Sequence, residues 1–274
     1  MLRNLIQIIT GCGCEDTIEE AAYWTLINNG LVIVVDALWP TLTYPDPDAQ
    51  IQQTHVLIPP NERFEDINRI LKRHSLFDRF FYIRADDYMY NGTQYNLALD
   101  FIQKHNLPCE HILFHDGDEA LDPIYTDLVL SHIQTAKDRG TSQLRFMSTI
   151  EILPGWKGLT VNDRLGGNFG FVWGKHLFTR RLNHFDGNFV FEIDVPFMIT
   201  QVPLYHLHHF RRNALRRISH DGTQFSSGGI TYDISNQPAM NETPYVKRIK
   251  EIYKNDFQVQ SQGLNFLGDL KDHH

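Results

Sequence analysis

The chain has few cysteines, no long apolar run and no surplus of positive charge, and each absence removes a class of protein. Three cysteines, Cys12, Cys14 and Cys109, in 274 residues cannot build a disulfide framework. Cys12 and Cys14 are one residue apart, which is not the Cys-x-x-Cys spacing of zinc knuckles or thioredoxin-like sites. Such sparse cysteine suits a reducing compartment, and the expected location is cytoplasmic. No apolar run approaches the roughly 18 residues that a membrane helix needs. Acids outnumber bases 33 to 25, a formal charge of −8, which argues against a general nucleic-acid binder. Internal repeats and low-complexity runs are absent.

What is present is ample apolar residue, 42% of the chain, enough for a sizeable core. Leu5 to Ile9 reads as a buried strand rather than the core of a signal peptide, since a helical pattern follows at once. That helix has Glu15 or Asp16 to cap it, an inward face of Ile18, Ala21, Ala22, Thr25 and Leu26, and Asn28-Asn29-Gly30 to end it. Leu31 to Val35 does not alternate, so it reads as a strand buried on both faces, and it runs into Asp36. Strand, helix, strand, acid is a βαβ opening. It favours a parallel sheet with ligands at the carboxyl ends of the strands.

Further along, the pattern predicts a strand over 55–58, a helix over 61–74 and a strand over 80–83. A helix carrying Tyr95, Leu97, Ala98, Phe101 and Ile102 on one face stops near Pro108. The segment HILFHDGDEALDP follows, from His111 to Pro123. Here an apolar strand runs into Asp116, Asp118 and Glu119. Acids this close repel unless they are solvated or share a cation. Two carboxylates at a strand end, completed by phosphate oxygens and water, suit Mg²⁺ or Mn²⁺. Glu119 and Asp122 are also positioned to hold backbone or cap the helix whose first turn takes Pro123.

The segment from Tyr95 to Leu121, YNLALDFIQKHNLPCEHILFHDGDEAL, resembles the core of GT-A glycosyltransferases of the family 2 type. There a helix with an Asn-x-Ala segment precedes a strand ending in Asp-x-Asp. The resemblance covers roughly residues 5 to 215. It implies an α/β fold, a mixed Rossmann-like sheet flanked by helices, in a single domain over 1–274. Residues 1–125 would bind the nucleotide-sugar, 126–220 the acceptor, and 221–274 would form an extension.

The activity implied is metal-dependent transfer of a sugar from a nucleotide-diphosphate donor to a hydroxyl on a glycan, lipid-linked or protein acceptor, with inversion. Asp116 and Asp118 would hold Mn²⁺ or Mg²⁺. Asp36, Arg84, Asn96 and Asp116 would bind the nucleotide. In GNFVFEIDVPF, Glu192 or Asp194 would take the acceptor's proton, although Phe191 stands where the family often has histidine.

In PLYHLHHFRR, His206 and His208 would share a strand face, opposite His209, and one of them would reach the metal or diphosphate. On a helix after them, Arg212 and Arg216 would share a face. Two other classes fit parts of the pattern. A nucleotidyltransferase or phosphohydrolase would use the same acids, but GCGCEDT lacks the basic residue of its glycine loop. A non-catalytic carbohydrate- or protein-binding module would keep the aromatic, glycine-rich second half without turnover.

Overall fold

The computed structural model describes residues 2–11, 17–38, 79–89, 91–162, 170–183, 189–190, 195–210, 216–219, 222–227 and 230–254. The strand expected over 55–58, the helix over 61–74, and Glu15, Asp16, Glu192 and Asp194 lie outside them.

The opening folds as a βαβ unit. Strand β1 spans Leu5–Gly11, helix α1 spans Ile18–Ile27 and strand β2 spans Leu31–Leu38. Thr17 takes the N-cap position of α1, but its hydroxyl donates to the Gly117 carbonyl at 2.7 Å and accepts no capping bond from the helix. Asn29 ends the helix with a left-handed φ of 58°, as the Asn-Asn-Gly signal implies. Strand β3 spans Phe80–Tyr88, helix α2 Asn91–Lys104 and strand β4 His111–Asp116. Strand β5 is Glu119–Ala120. Pro123 opens a short 3-10 turn, Pro123–Tyr125, that leads into helix α3, Thr126–Asp138.

The second half is mostly strands: β6 Gln143–Phe146, β7 Ser148–Leu153, β8 Lys157–Asn162, β9 Gly170–Trp173 and β10 Leu182–Asn183. Then come β11 Phe189–Val190, β12 Phe197–Thr200, β13 Leu204–His206, β14 Arg216–Ile218, β15 Gln224–Ser227 and β16 Ile230–Asp233. Helix α4, Pro244–Ile252, is the last described element.

Seven strands make the central sheet in the order β12-β6-β9-β4-β1-β2-β3. All neighbours are parallel except β9, which is antiparallel to both β4 and β6. The α/β class that the resemblance implies, a mixed sheet flanked by helices, is what the chain forms. Its apolar runs fail to alternate because both faces are covered. Ile6, Ile8, Ile33, Val35, Ile112 and Phe114 face α2, which contributes Tyr95, Ala98, Leu99 and Ile102. Residues of the opposite parity face the other way: Ile9, Val32 and Val34 meet α1, and Leu5, Leu113 and Leu144 meet α3.

A second sheet, β5-β13-β7-β8, stands beside the carboxyl end of β4, and β14-β15-β16 forms a third. Arg216 lies in a strand rather than on the expected helix, and Arg212 lies outside the described residues. Arg216 and Arg217 pair with Ser227 and Ser226 in an antiparallel ladder that sets the local conformation.

Candidate active site

Parallel pairing brings the strand ends together. Gly11 stands opposite Asp36, Thr10 opposite Asp116, and Asp36 opposite Arg84. Asp36 and Asp116 thus sit at the same edge of the sheet, two strands apart, with β1 between them. Asp36 is buried, and its Oδ2 accepts from the Tyr82 hydroxyl at 2.5 Å. The Thr10 hydroxyl donates to Asp116 Oδ1 at 3.0 Å. Gly117 N donates to the Thr10 carbonyl at 2.9 Å, so the acidic turn is tied to β1 by both backbone and side chain.

The second sheet then carries the acids to a cluster of partners. In β5, Glu119 stands opposite His206 of β13, and His206 stands opposite Glu151 of β7. The Asp118 carbonyl accepts from Leu207 N at 2.6 Å, which holds the turn against β13. His206 Nδ1 lies 2.5 Å from Glu151 Oε1, and its Nε2 lies 3.7 Å from Asp118 Oδ2. Beyond Glu151, His209 Nε2 is 3.4 Å from Oε2, an ion-pair distance without hydrogen-bond alignment. Four ionisable side chains, Asp118, His206, Glu151 and His209, form one line.

Burial makes these charges interdependent. Burial alone would drive the His206 pKa down, but Asp118 and Glu151 outweigh it and hold the pKa well above the usual imidazole value. Burial alone would raise the Glu151 pKa, but its close contacts with His206 and His209 bring it down to about 2. Glu119 has the opposite balance. Desolvation, and then the Asp116 charge, push its carboxyl well above the ordinary range. Its buried Oε2 has no hydrogen-bond partner among the described residues.

The other expected site residues fall as follows. His206 and His208 do not share a strand face. Strand β13 ends at His206, and His208–Phe210 is a 3-10 turn closed by Phe210 N donating to the Leu207 carbonyl at 2.9 Å. The turn puts His209 within reach of Glu151, where an extended strand would have pointed it away. Arg84 lies in β3 beside Asp36. Asn96 gives its side-chain amide to backbone: Nδ2 donates to the Arg181 carbonyl at 3.0 Å, and Oδ1 accepts from Arg181 N at 2.7 Å.

That grip anchors Arg181, whose buried guanidinium lies 4.5 Å over the Phe114 ring. Asp122 acts as a cap, accepting from Ile124 N at 2.9 Å. Among the described residues, no group of three or more His, Cys, Asp or Glu side chains converges as a metal cage would require.

No family model and no curated protein sequence matches the chain. Solved structures overlap it loosely. Residues 1–349 of S. aureus TarS align at 14% identity and TM-score 0.34, covering 54% of this chain and 36% of that one. The chain thus spans about a third of that structure. A 4-diphosphocytidyl-2C-methyl-D-erythritol synthase from Anaerococcus prevotii aligns at 13% identity and TM-score 0.38, covering 74% and 89% of the two chains. Another structure of an enzyme of that name aligns at 12% identity and TM-score 0.34, over 62% and 73%. Overlaps this loose carry neither an activity nor a substrate to this chain.

Glu151 and His209 were not singled out by the sequence pattern. A signal for Glu151 exists: it is an acid between Ile150 and Ile152 in a strand otherwise apolar at its end. An acid in that setting needs polar partners, and His206 and His209 provide them.

Proposed function

We propose that this protein is a GT-A-type transferase that moves a sugar from a nucleotide-diphosphate donor to a hydroxyl acceptor with inversion. One observation carries the reading. Asp118 and His206, 88 positions apart in sequence, face each other at 3.7 Å beside the carboxyl edge of a parallel sheet. Open α/β sheets bind ligands at that edge. Asp36, braced by Tyr82, lies along the same edge and suits the ribose or base of the donor.

The residues suit a hard divalent cation shared with a diphosphate. A Mg²⁺-type site takes one or two protein carboxylates and draws its other oxygens from phosphate and water, so no closed protein cage is required. Asp116 and Asp118 supply those carboxylates. The buried Glu119 Oε2 beside them, without a hydrogen-bond partner among the described residues, marks a place where a cation would be accommodated. Asp116 and Asp118 would hold Mn²⁺ or Mg²⁺, and the cation, when bound, would neutralise the departing diphosphate. His206 adds a positively charged or lone-pair nitrogen on the same side. Glu192, with Asp194 as the second choice, would take the acceptor's proton.

The test is thermal unfolding with UDP, GDP, CDP and dTDP, each with and without Mn²⁺, on the wild type and Asp118→Asn. A ligand bound only by the native state raises the melting temperature by mass action. The expected result is a shift that needs both Mn²⁺ and one diphosphate and that disappears in Asp118→Asn. No shift with any pair would overturn the proposal and favour a non-catalytic binding module.

A further inference from the structure

We propose that Glu151 is a positioning residue: it orients His206 so that Nε2 is the nitrogen presented to the donor's cation or diphosphate, which makes His206 rather than His209 the working histidine. This rests on the transferase reading above. The ladder register supplies the first argument. His206 and Glu151 are Cα partners in adjacent parallel strands, and partners in register project to the same face. Glu119 is the partner on the other side, so His206 is bracketed by β5 and β7.

The chemistry of the ring supplies the second argument. An ionised carboxylate only accepts, so Nδ1 must carry a hydrogen where it meets Glu151 Oε1 at 2.5 Å. That leaves Nε2 as the variable nitrogen, and it points at Asp118 Oδ2, 3.7 Å away. A carboxylate behind a histidine that faces a cation fixes both ring orientation and tautomer.

His209 cannot take the same role. Its side chain is fully buried, and the ring lies edge-on to Phe225 and Tyr232 at 4.8 and 5.4 Å. It meets Glu151 at the second carboxylate oxygen. Glu151 is therefore met at both carboxylate oxygens, Oε1 by His206 and Oε2 by His209. Such a clamp fixes the carboxylate that in turn fixes His206.

The experiment reads Mn²⁺ affinity by electron paramagnetic resonance, with Mn²⁺ titrated in the presence of UDP, GDP, CDP and dTDP in turn against a nucleotide-only blank, since the cation is shared with a diphosphate. The proteins are wild type, Asp118→Asn, Glu151→Gln, His206→Ala and the Glu151→Gln/His206→Ala pair, each checked for native melting. Removing a partner behind a metal-facing histidine typically weakens binding about 10- to 100-fold. Glu151→Gln should lose about that much in the wild-type background and nothing further once His206 is alanine, because Glu151 acts only through it. Equal losses in both backgrounds, or a loss under twofold in the wild-type background, overturn the inference while Asp118→Asn still abolishes binding. If Asp118→Asn binds Mn²⁺ as tightly as wild type, the transferase reading itself falls. Should Glu151→Gln not fold, Glu151→Asp, which keeps the charge but retracts it by one methylene, takes its place in the same cycle.

Discussion

The Thr243 hydroxyl donates to Asp122 Oδ2 at 2.6 Å across 121 positions of sequence, while Thr243 Oγ1 itself accepts from Val246 N at 3.0 Å. One side chain therefore caps α4 and ties that helix to the turn that follows the acidic strand end. Loss of a threonine N-cap costs about 0.5–2 kcal/mol. Here a buried carboxylate also loses a donor. Thr243→Ala should destabilise by about 2 kcal/mol in urea unfolding, and Thr243→Ser should recover most of it. A change within 0.5 kcal/mol, on the order expected of neutral surface sites, would show that the link is incidental.

Arg248 of α4 makes two hydrogen bonds to the buried Glu20 carboxylate of α1, at 2.7 and 3.1 Å, with its guanidinium 4.5 Å over the Tyr23 ring. Removing one partner of a buried pair costs about 3–5 kcal/mol. A third of the Arg248 side chain is exposed, so Arg248→Ala should cost about 2 kcal/mol by denaturant titration. The double variant Arg248→Met/Glu20→Leu should be closer to wild type than Arg248→Ala alone, since no charge is left stranded.

Gly170 lets β9 lie against β6. A Cβ there would stand 1.9 Å from the Leu144 carbonyl oxygen, and the backbone φ of +155° disfavours any L side chain. The contact is with backbone at the centre of the sheet and cannot be relieved by a rotamer change. Gly170→Ala should cost at least about 3 kcal/mol, or leave the protein insoluble. A soluble variant with unchanged melting would disprove the close approach.

His111 connects pH to stability. Its Nδ1 hydrogen-bonds the Arg3 carbonyl at 3.2 Å, and its Nε2 faces the Lys137 ammonium at 2.6 Å. Burial, and then Lys137, lower its folded pKa below the ordinary value, with the Arg3 carbonyl and Glu110 pulling weakly the other way. The unfolded chain then binds a proton that the folded chain refuses. The stability due to neutral His111 is complete above about pH 6.5 and is lost as pH falls through that value toward the lower folded pKa. Unfolding free energies measured from pH 8 to 5 should fall more steeply for wild type than for His111→Gln. Parallel curves would remove His111 from the account.

Tyr82 tests the nucleotide end of the proposed site. Its hydroxyl holds Asp36 Oδ2 at 2.5 Å. A hydrogen bond to a charged group contributes about 1.5–3 kcal/mol. Some of that should appear as orientation of Asp36 toward the donor. Tyr82→Phe should weaken binding of the responsive nucleoside diphosphate about tenfold by calorimetry, with Mn²⁺ affinity unchanged. An unchanged diphosphate affinity would take Asp36 out of the nucleotide site.

Local pattern alone was enough to find the opening βαβ unit and the strand that ends in Asp116. The unalternating runs at Leu5–Ile9, Leu31–Val35 and Ile112–Phe114 required strands covered on both faces, and the parallel sheet puts helices there. The same runs each ended near a polar residue, so Asp36 and Asp116 could be read as strand-end acids before any fold was known. Parallel pairing brings such ends to one edge whatever the intervening chain does. The Asn-Asn-Gly stop and the proline opening the turn before α3 are also local, because backbone conformation is set by the residue itself.

What pattern could not supply was every relation that depends on strand register or on a turn. The histidine run reads as alternating strand, but tertiary pairing ends β13 at His206 and turns the chain. The Leu207 amide is claimed by the Asp118 carbonyl, 89 positions earlier in sequence. Asn96 has the same chemistry whether it binds a nucleotide or the Arg181 backbone, and only the packing of α2 decides. Glu151 becomes a partner of His206 because β7 lies beside β13. Sequence determined which segments are strands and where their acids stand. Tertiary structure decided which charges meet, since a pairing between distant strands is selected by the shared burial of both and leaves little trace in either alone.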